Sequence, residues 1–252
     1  MPNFVDVDFP ADPAFVFGDL GVSAFGPMRA TYGETVPVIE RSKWPDLYEQ
    51  AKANGGGASQ LVTRIYNQGN EGSCVANACS QAHEIIQAIQ NGKDAVVHLS
   101  AISLYKRIGS SPNSGAMVSD GLDELASRGV LPLDNPENRA KFGDAVMPAT
   151  GFYTKFPSGW EAVAKQFAAH EWLIVDSVDE LITALFNQHP VVVGRSGHSI
   201  CYCDPILDGG EWYVKYANSW GNWGEAGFGY DSMSKIRASA GWAFALRSVN
   251  TP

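Results

Sequence analysis

Apolar residues recur along this chain with two different periods, and the change between them comes a little past its middle. Val75, Cys79, Ala82, Ile86 and Ile89 fall at helical spacing, in a segment that opens at Ser73-Cys74 and stops at Asn91-Gly92. Ser73 is placed to cap that helix. The pattern predicts further helices over Pro45–Ala53, ended by Gly55-Gly56-Gly57, over Leu99–Ile108 with Ser100 as cap, and from about Asp120 to Arg128 before Gly129. Leu61–Ile65 reads as an extended lead into the Cys74 helix. After Pro132 the character changes. Residues 131–158 are loop-rich, with prolines at 132, 136, 148 and 157. Ser158-Gly159-Trp160-Glu161 and Ser177-Val178-Asp179-Glu180 have the capping-box pattern. The first opens a helix into Ala169, and the second a helix with Val178, Leu181, Ile182 and Leu185 on one face. Trp172–Val175, Val191–Gly194, His198–Cys203, Glu211–Tyr216 and Trp242–Val249 read as strands separated by turn residues such as Asp208-Gly209-Gly210. Helices followed by strands predict an α+β fold with two lobes rather than an alternating α/β one. A cleft between lobes is a usual place for a site.

Residues 1 to about 40 do not follow either period. Phe4, Phe9, Phe15, Phe17 and Phe25 are scattered among prolines and glycines, which predicts an irregular arm held down by its aromatics. Three placements are open for it: along the outside of its own domain, across the cleft, or on a protein assembly partner. The expected organisation is therefore an arm over 1–40 and a domain over 41–252, with a helical lobe at about 60–135 and a β lobe at about 136–252.

Composition and charge narrow the function classes. The chain has 252 residues, 45% of them hydrophobic, and seven tryptophans, enough for a sizeable core. A formal charge of −9 and the lack of a basic stripe argue against a nucleic-acid partner. No apolar run is long enough to span a bilayer, and the start of the chain lacks a signal-peptide pattern, so no membrane partner is expected. The cysteines at 74, 79, 201 and 203 do not form a disulfide framework, since 201 and 203 would share one face of a strand in poor bridging geometry. No cysteine or histidine cluster has ligand spacing, so neither a metal nor another cofactor is expected. Inert buried thiols at 79, 201 and 203 in a reducing, cytoplasmic or virion-associated setting are the expectation.

Cys74 is different because it opens a helix. Unsatisfied N–H groups and the positive end of the helix dipole favour its thiolate. A nucleophilic thiolate needs a base, and the base needs an orienting group. His83 lies within the first helix, at its core edge. His98 and His170 flank elements, and His189 precedes Pro190 at a helix-to-strand turn, so these four have ordinary structural readings. His198 begins a strand directly after Ser196-Gly197, where its side chain can project into a cleft. Asn218-Ser219-Trp220-Gly221-Asn222-Trp223-Gly224 follows the strand ending at Tyr216. It suits either an amide that holds an imidazole under an aromatic cover, or an Asx turn beside core tryptophans.

Together these stretches resemble the papain-like cysteine peptidases. Gln68-Gly69-Asn70-Glu71-Gly72-Ser73-Cys74, Gly197-His198 and Asn218-Ser219-Trp220-Gly221-Asn222-Trp223-Gly224 match that family's blocks in the family's order. Gly115-Ala116-Met117 is similar to the loop whose backbone pairs with substrate. The resemblance implies a papain-like two-lobed fold, with a helical N-terminal lobe, an antiparallel β-barrel-like C-terminal lobe and the active site between them. It implies a cysteine-type endopeptidase acting on peptide or protein substrates without a cofactor. In that reading Cys74 is the nucleophile, His198 its acid and base, and Asn218 the orienting group. Gln68 joins the Cys74 N–H in an oxyanion hole. Gly115, Met117 and Trp220 bind substrate, and Trp220 also shields the His198–Asn218 hydrogen bond from water. Glu71 stands where the family usually has a disulfide cysteine, and Val75 where it has an aromatic residue. The chain between Val193 and His198 is short, and the arm lacks the family's inhibitory helical motif. The competing expectation is a structural or binding component of a viral particle or other assembly that keeps the fold. A cell-wall peptidase of the other Cys–His class, or a transglutaminase, would not need Gln68 together with the Asn218 block.

Overall fold

The computed structural model describes residue 19 and residues 30–195, 197–239 and 243–252. Its centre is α3 (Cys74–Asn91), reached after α1 (Tyr32–Thr35) and α2 (Trp44–Ala53). Helices α4 (Ala101–Ile108), α5 (Val118–Arg128), α6 (Pro136–Phe142) and α7 (Trp160–Ala164) follow. The strands are β1 (Ala169–Val175), β2 (Val191–Arg195), β3 (His198–Asp208), β4 (Glu211–Ala217), β5 (Phe228–Ser232) and β6 (Ala243–Val249), with α8 (Val178–Phe186) after β1 and α9 (Met233–Ser239) after β5.

Every residue of α3 from Cys74 to Ala88 is buried, because α4 and α5 cover one side of it and β2, β3 and β6 another. A helix buried all round is usually apolar all round. This one carries Asn77, Ser80, Gln81, His83, Glu84 and Gln87 inside the protein. Such groups need internal partners. Gln87 finds them on the backbone of Val97, donating from Nε2 to its carbonyl (3.1 Å) and accepting its N–H at Oε1 (3.0 Å). Glu84 accepts from the Leu99 N–H (2.7 Å), the Tyr66 hydroxyl (2.5 Å), Arg64 (3.2 Å) and His98 Nδ1 (3.1 Å). Burial alone would raise the Glu84 carboxyl, but Arg64, His98 and Tyr66 hold it below its ordinary value. His98 therefore belongs to a polar cluster that its sequence neighbours did not announce. His83, expected at a core edge, is wholly buried, and burial pushes it down to about 4.

The six strands form one antiparallel sheet in the order β1-β6-β2-β3-β4-β5. The β lobe expected to be barrel-like is thus an open sheet with β1 and β5 at its edges. One face packs with α3, α4 and α5 around Cys74, Ile85, Leu104, Leu122, Cys201, Cys203 and Leu246. The other packs under α8 with Leu181, Leu185, Val193, Tyr202 and Tyr216, and Tyr32 and Trp44 complete that core. Cys201 and Cys203 do share a face, and all four cysteines are free thiols. At the β2–β3 hairpin Arg195 stands opposite His198, and Gly197 takes φ +76°, a left-handed value that such short turns require.

Several local expectations need correction. Residues 131–158, expected to be loop-rich, contain α6, whose N-cap Asn135 accepts the Asn138 N–H at 2.8 Å and whose first residue is Pro136. β5 and α9 were not expected. Helix α7 starts at Trp160 behind Gly159 and gives way to a short 3-10 turn, so Ser158 does not cap it. Ser177 does cap α8, accepting the Glu180 N–H at 3.1 Å. Ser100 donates to the Pro148 carbonyl (2.6 Å) instead of capping α4, and the Ser73 hydroxyl takes the Asn77 amide (3.0 Å) instead of a backbone N–H. Among the described residues, no helix is long and apolar enough to cross a membrane.

Candidate active site

The antiparallel pairing of β3 and β4 brings the start of one strand to the end of the other, and so places His198 beside Asn218. His198 Nε2 lies 2.8 Å from Asn218 Oδ1. That oxygen also accepts the Ser219 N–H (2.7 Å), which fixes it as the acceptor side of the amide. The imidazole must then donate from Nε2, leaving Nδ1 as the nitrogen that exchanges a proton. Trp220 stacks on the ring with centroids 4.4 Å apart and planes at 23°, and Trp223 meets Trp220 edge-on at 5.5 Å. The Asn218 amide thus contacts the imidazole, and Trp220 covers the pair.

The Asn218 loop is stitched to the loop that ends at Cys74. Gln68 N donates to the Ser219 carbonyl (2.8 Å), and the Ser219 hydroxyl donates to Gln68 Oε1 (2.6 Å). Gly221 N donates to the Tyr66 carbonyl (3.0 Å). The Gln68 amide is held on its other side as well, because Nε2 donates to the Glu71 carbonyl at 2.7 Å. Cys74 follows as the first residue of α3 and is wholly buried. The third loop joins through Gly72, whose N–H donates to the Pro112 carbonyl (2.8 Å). A Cβ on Gly72 would sit 3.1 Å from the Gly115 nitrogen, so only glycine permits this approach without a shift. Gly115 lies at φ +70° with its N–H on the Tyr105 hydroxyl (3.1 Å), Ala116 is buried, and Met117 is the residue before α5.

Burial acts on two of the thiols and on His198. Burial pushes the Cys79 and Cys201 thiols well up, which makes them poor nucleophiles. Burial also pulls His198 down to about 4; the Asn218 hydrogen bond opposes this and the Arg195 charge adds to it. His198 is neutral in this closed arrangement. Arg195 itself is held by Asp231, whose second oxygen accepts the Tyr202 hydroxyl at 2.6 Å.

Two further features bear on the site. Asp19, a residue of the arm, donates its N–H to the Gly197 carbonyl (2.8 Å) and bridges Ala116 in the parallel sense. It therefore touches both the turn before His198 and the Gly115–Met117 loop. The arm's phenylalanines lie outside the described residues. The second feature is the Glu71 carboxylate, which accepts the N–H groups of Gly151 (3.1 Å) and Phe152 (2.7 Å). An acidic residue where the family resemblance implies a covalent link was the available signal.

Papain-like cysteine proteases are among the solved structures similar to this chain. Xylellain, a cysteine protease from Xylella fastidiosa, superposes with a TM-score of 0.62 at 20% identity, over 94% of this chain and 97% of that one. The digestive procathepsin L 3 of the Tenebrio molitor larval midgut gives 0.59 at 16% identity, over 74% of this chain and 66% of that one. A recombinant stem bromelain precursor gives 0.57 at 18%, over 87% and 78%. The fold is papain-like. At these identities the likeness establishes the fold and leaves the chemistry to be argued from the site. No family model and no curated protein sequence matches the chain.

Proposed function

We propose that the protein is a cysteine-type endopeptidase that cleaves peptide bonds through an acyl-enzyme at Cys74. The observation that carries the reading is the Asn218–His198–Trp220 assembly, tied by Ser219 to the glutamine of the cysteine loop. In this reading the Cys74 sulfur, as thiolate beside protonated His198, attacks the substrate carbonyl carbon. Negative charge passes to the carbonyl oxygen, where Gln68 Nε2 and the Cys74 N–H stabilise it; one such donor is worth roughly 3–4 kcal/mol. His198 Nδ1 gives its proton to the leaving amine as the C–N bond breaks. Water, losing a proton to the same nitrogen, then attacks the thioester, and the thiolate returns. Asn218 keeps the ring's plane through both halves of the cycle, and Trp220 keeps water off the bond between them. The backbone of Gly115–Met117 pairs with the substrate on the helical lobe.

The charged pair requires the cleft to open. Cys74 and His198 are both inaccessible, and Asp19 touches both walls. We therefore read the contacts of Asp19 as holding the two walls together until they are released. The same burial favours the competing reading, in which the fold serves an assembly and never turns over. Hydrolysis of a fluorogenic peptide, with Cys74→Ala as the control, separates the two. Turnover that Cys74→Ala abolishes while the unfolding free energy stays within about 1 kcal/mol of the parent's supports the peptidase. The absence of turnover in the parent, with and without its arm cleaved, supports the assembly component.

A further inference from the structure

We infer that Glu71 is a positioning residue that aligns the Gln68 amide and the Gly115 substrate strand from one point; this rests on the peptidase reading above. Glu71 acts through both ends of its residue. Its main-chain carbonyl accepts Gln68 Nε2 at 2.7 Å, which sets the plane of the amide assigned to the oxyanion. Its carboxylate spans to a separate loop and accepts the adjacent N–H groups of Gly151 (3.1 Å) and Phe152 (2.7 Å). Charge-assisted bonds to backbone N–H groups are among the stronger hydrogen bonds available to a protein. A carboxylate holding two consecutive amides resists rotation as well as separation.

The clip reaches further through Phe152. That ring packs edge-on against Tyr105 with centroids 5.5 Å apart, under the Lys106 ammonium at 5.2 Å. Lys106 also donates to the Phe152 carbonyl. The Tyr105 hydroxyl accepts the Gly115 N–H (3.1 Å) and donates to the Ser111 carbonyl (2.9 Å), so it sets the height of the Gly115 strand. Gly72, next to Glu71, bonds the Pro112 carbonyl of the same loop at 2.8 Å. Glu71 therefore fixes Gln68 directly, the Gly115 strand through Phe152 and Tyr105, and the spacing between them through Gly72. A noncovalent clip of this kind needs no oxidising compartment, unlike the disulfide that the family resemblance implies at this position.

The test compares the parent with Glu71→Ala, Glu71→Gln and Tyr105→Phe. Glu71→Ala should lower kcat about tenfold or more, because an oxyanion donor displaced by a fraction of an ångström loses much of its effect. Glu71→Gln keeps one acceptor oxygen and should fall between it and the parent. Tyr105→Phe should raise KM more than it lowers kcat, since only the strand loses its anchor. Alkylation of Cys74 by iodoacetamide needs no oxyanion hole and should stay within about twofold of the parent in all three. A Glu71→Ala enzyme with kcat/KM within about twofold of the parent would overturn the inference. So would a parallel loss of alkylation, which would mean general disruption of the cysteine loop. If the parent cleaves no peptide, the peptidase reading fails separately, and amide exchange decides the clip: faster exchange at Gly151, Phe152 and Gly115 in Glu71→Ala upholds the linkage, and unchanged exchange overturns it.

Discussion

Glu84 and Gln81 sit one turn apart on α3 and are equally buried, at 1% and 3% exposure, yet their surroundings differ in kind. Glu84 is saturated: Arg64, Tyr66, His98 and the Leu99 N–H all meet its carboxylate, binding the chain before α3 and the chain after it to the helix. Gln81 has no hydrogen-bond partner for either amide atom among the described residues, and Asn77 Oδ1, Ser199 Oγ and Asn218 Nδ2 share that condition. With Ala217 and Ser219 these residues line a narrow internal gap behind the His198–Asn218 pair. A satisfied buried network makes a structure rigid and specific, whereas unsatisfied polar groups cost stability and are tolerated mainly where function needs them. The middle of α3 therefore ties its flanking segments together, and its first turns lie beside the candidate site.

That contrast predicts where substitutions act. The largest effect should come from Glu84→Ala, which strands Arg64 in the core and should cost about 3–5 kcal/mol of unfolding free energy, measured by urea titration. A loss under about 1 kcal/mol would show that the network is ornamental. Next comes Asn218→Ala, which should lower kcat about a hundredfold with little change in KM, while the urea midpoint barely moves. A near-parental kcat would return Asn218 to an ordinary Asx turn.

Acid should weaken the whole fold in a defined window. His83, His198 and His189 are all held neutral, each pulled from 6.5 to about 4, chiefly by burial. Their depressed values mean that the unfolded chain binds more protons than the folded one between those limits. Their contribution is thus complete above about pH 6.5 and declines as the pH falls towards 4. Glu84, held below its ordinary value, adds a loss at the acid end of that range. Urea midpoints that stay level from pH 7 to pH 4 would contradict this. The smallest effect is assigned to Gln81→Leu, which removes two unsatisfied atoms at similar volume and should change stability by less than about 1 kcal/mol, in either direction.

The parts of this arrangement that follow local rules could be read from the chain alone. Gly92 stops α3 at φ +88°, Ser177 caps α8, and short apolar runs bounded by turn residues mark β2, β3 and β4. His198 and Asn218 stood out because each sits at a strand end beside glycine or tryptophan, where few structural duties explain it. Residues whose role depends on a distant partner were opaque. Glu84 in a helix reads as a solvated residue, since helical period says nothing about a second covering layer. Glu71 read as a departure from a pattern, because its partners at Gly151 and Phe152 are unremarkable backbone in a loop-rich stretch. Helix α6 is hidden because proline, as at 136, is compatible with both a loop and the first turn of a helix.

The central claim is that Cys74 alone among four buried thiols is chemically primed, by a helix start and by His198. The most direct measurement is the rate of iodoacetamide labelling at each cysteine near pH 6 once the arm has been cleaved, resolved by peptide mass. Cys74 should then be labelled well ahead of Cys79, Cys201 and Cys203. Labelling of Cys74 at the same rate as the other three, or more slowly, would contradict it.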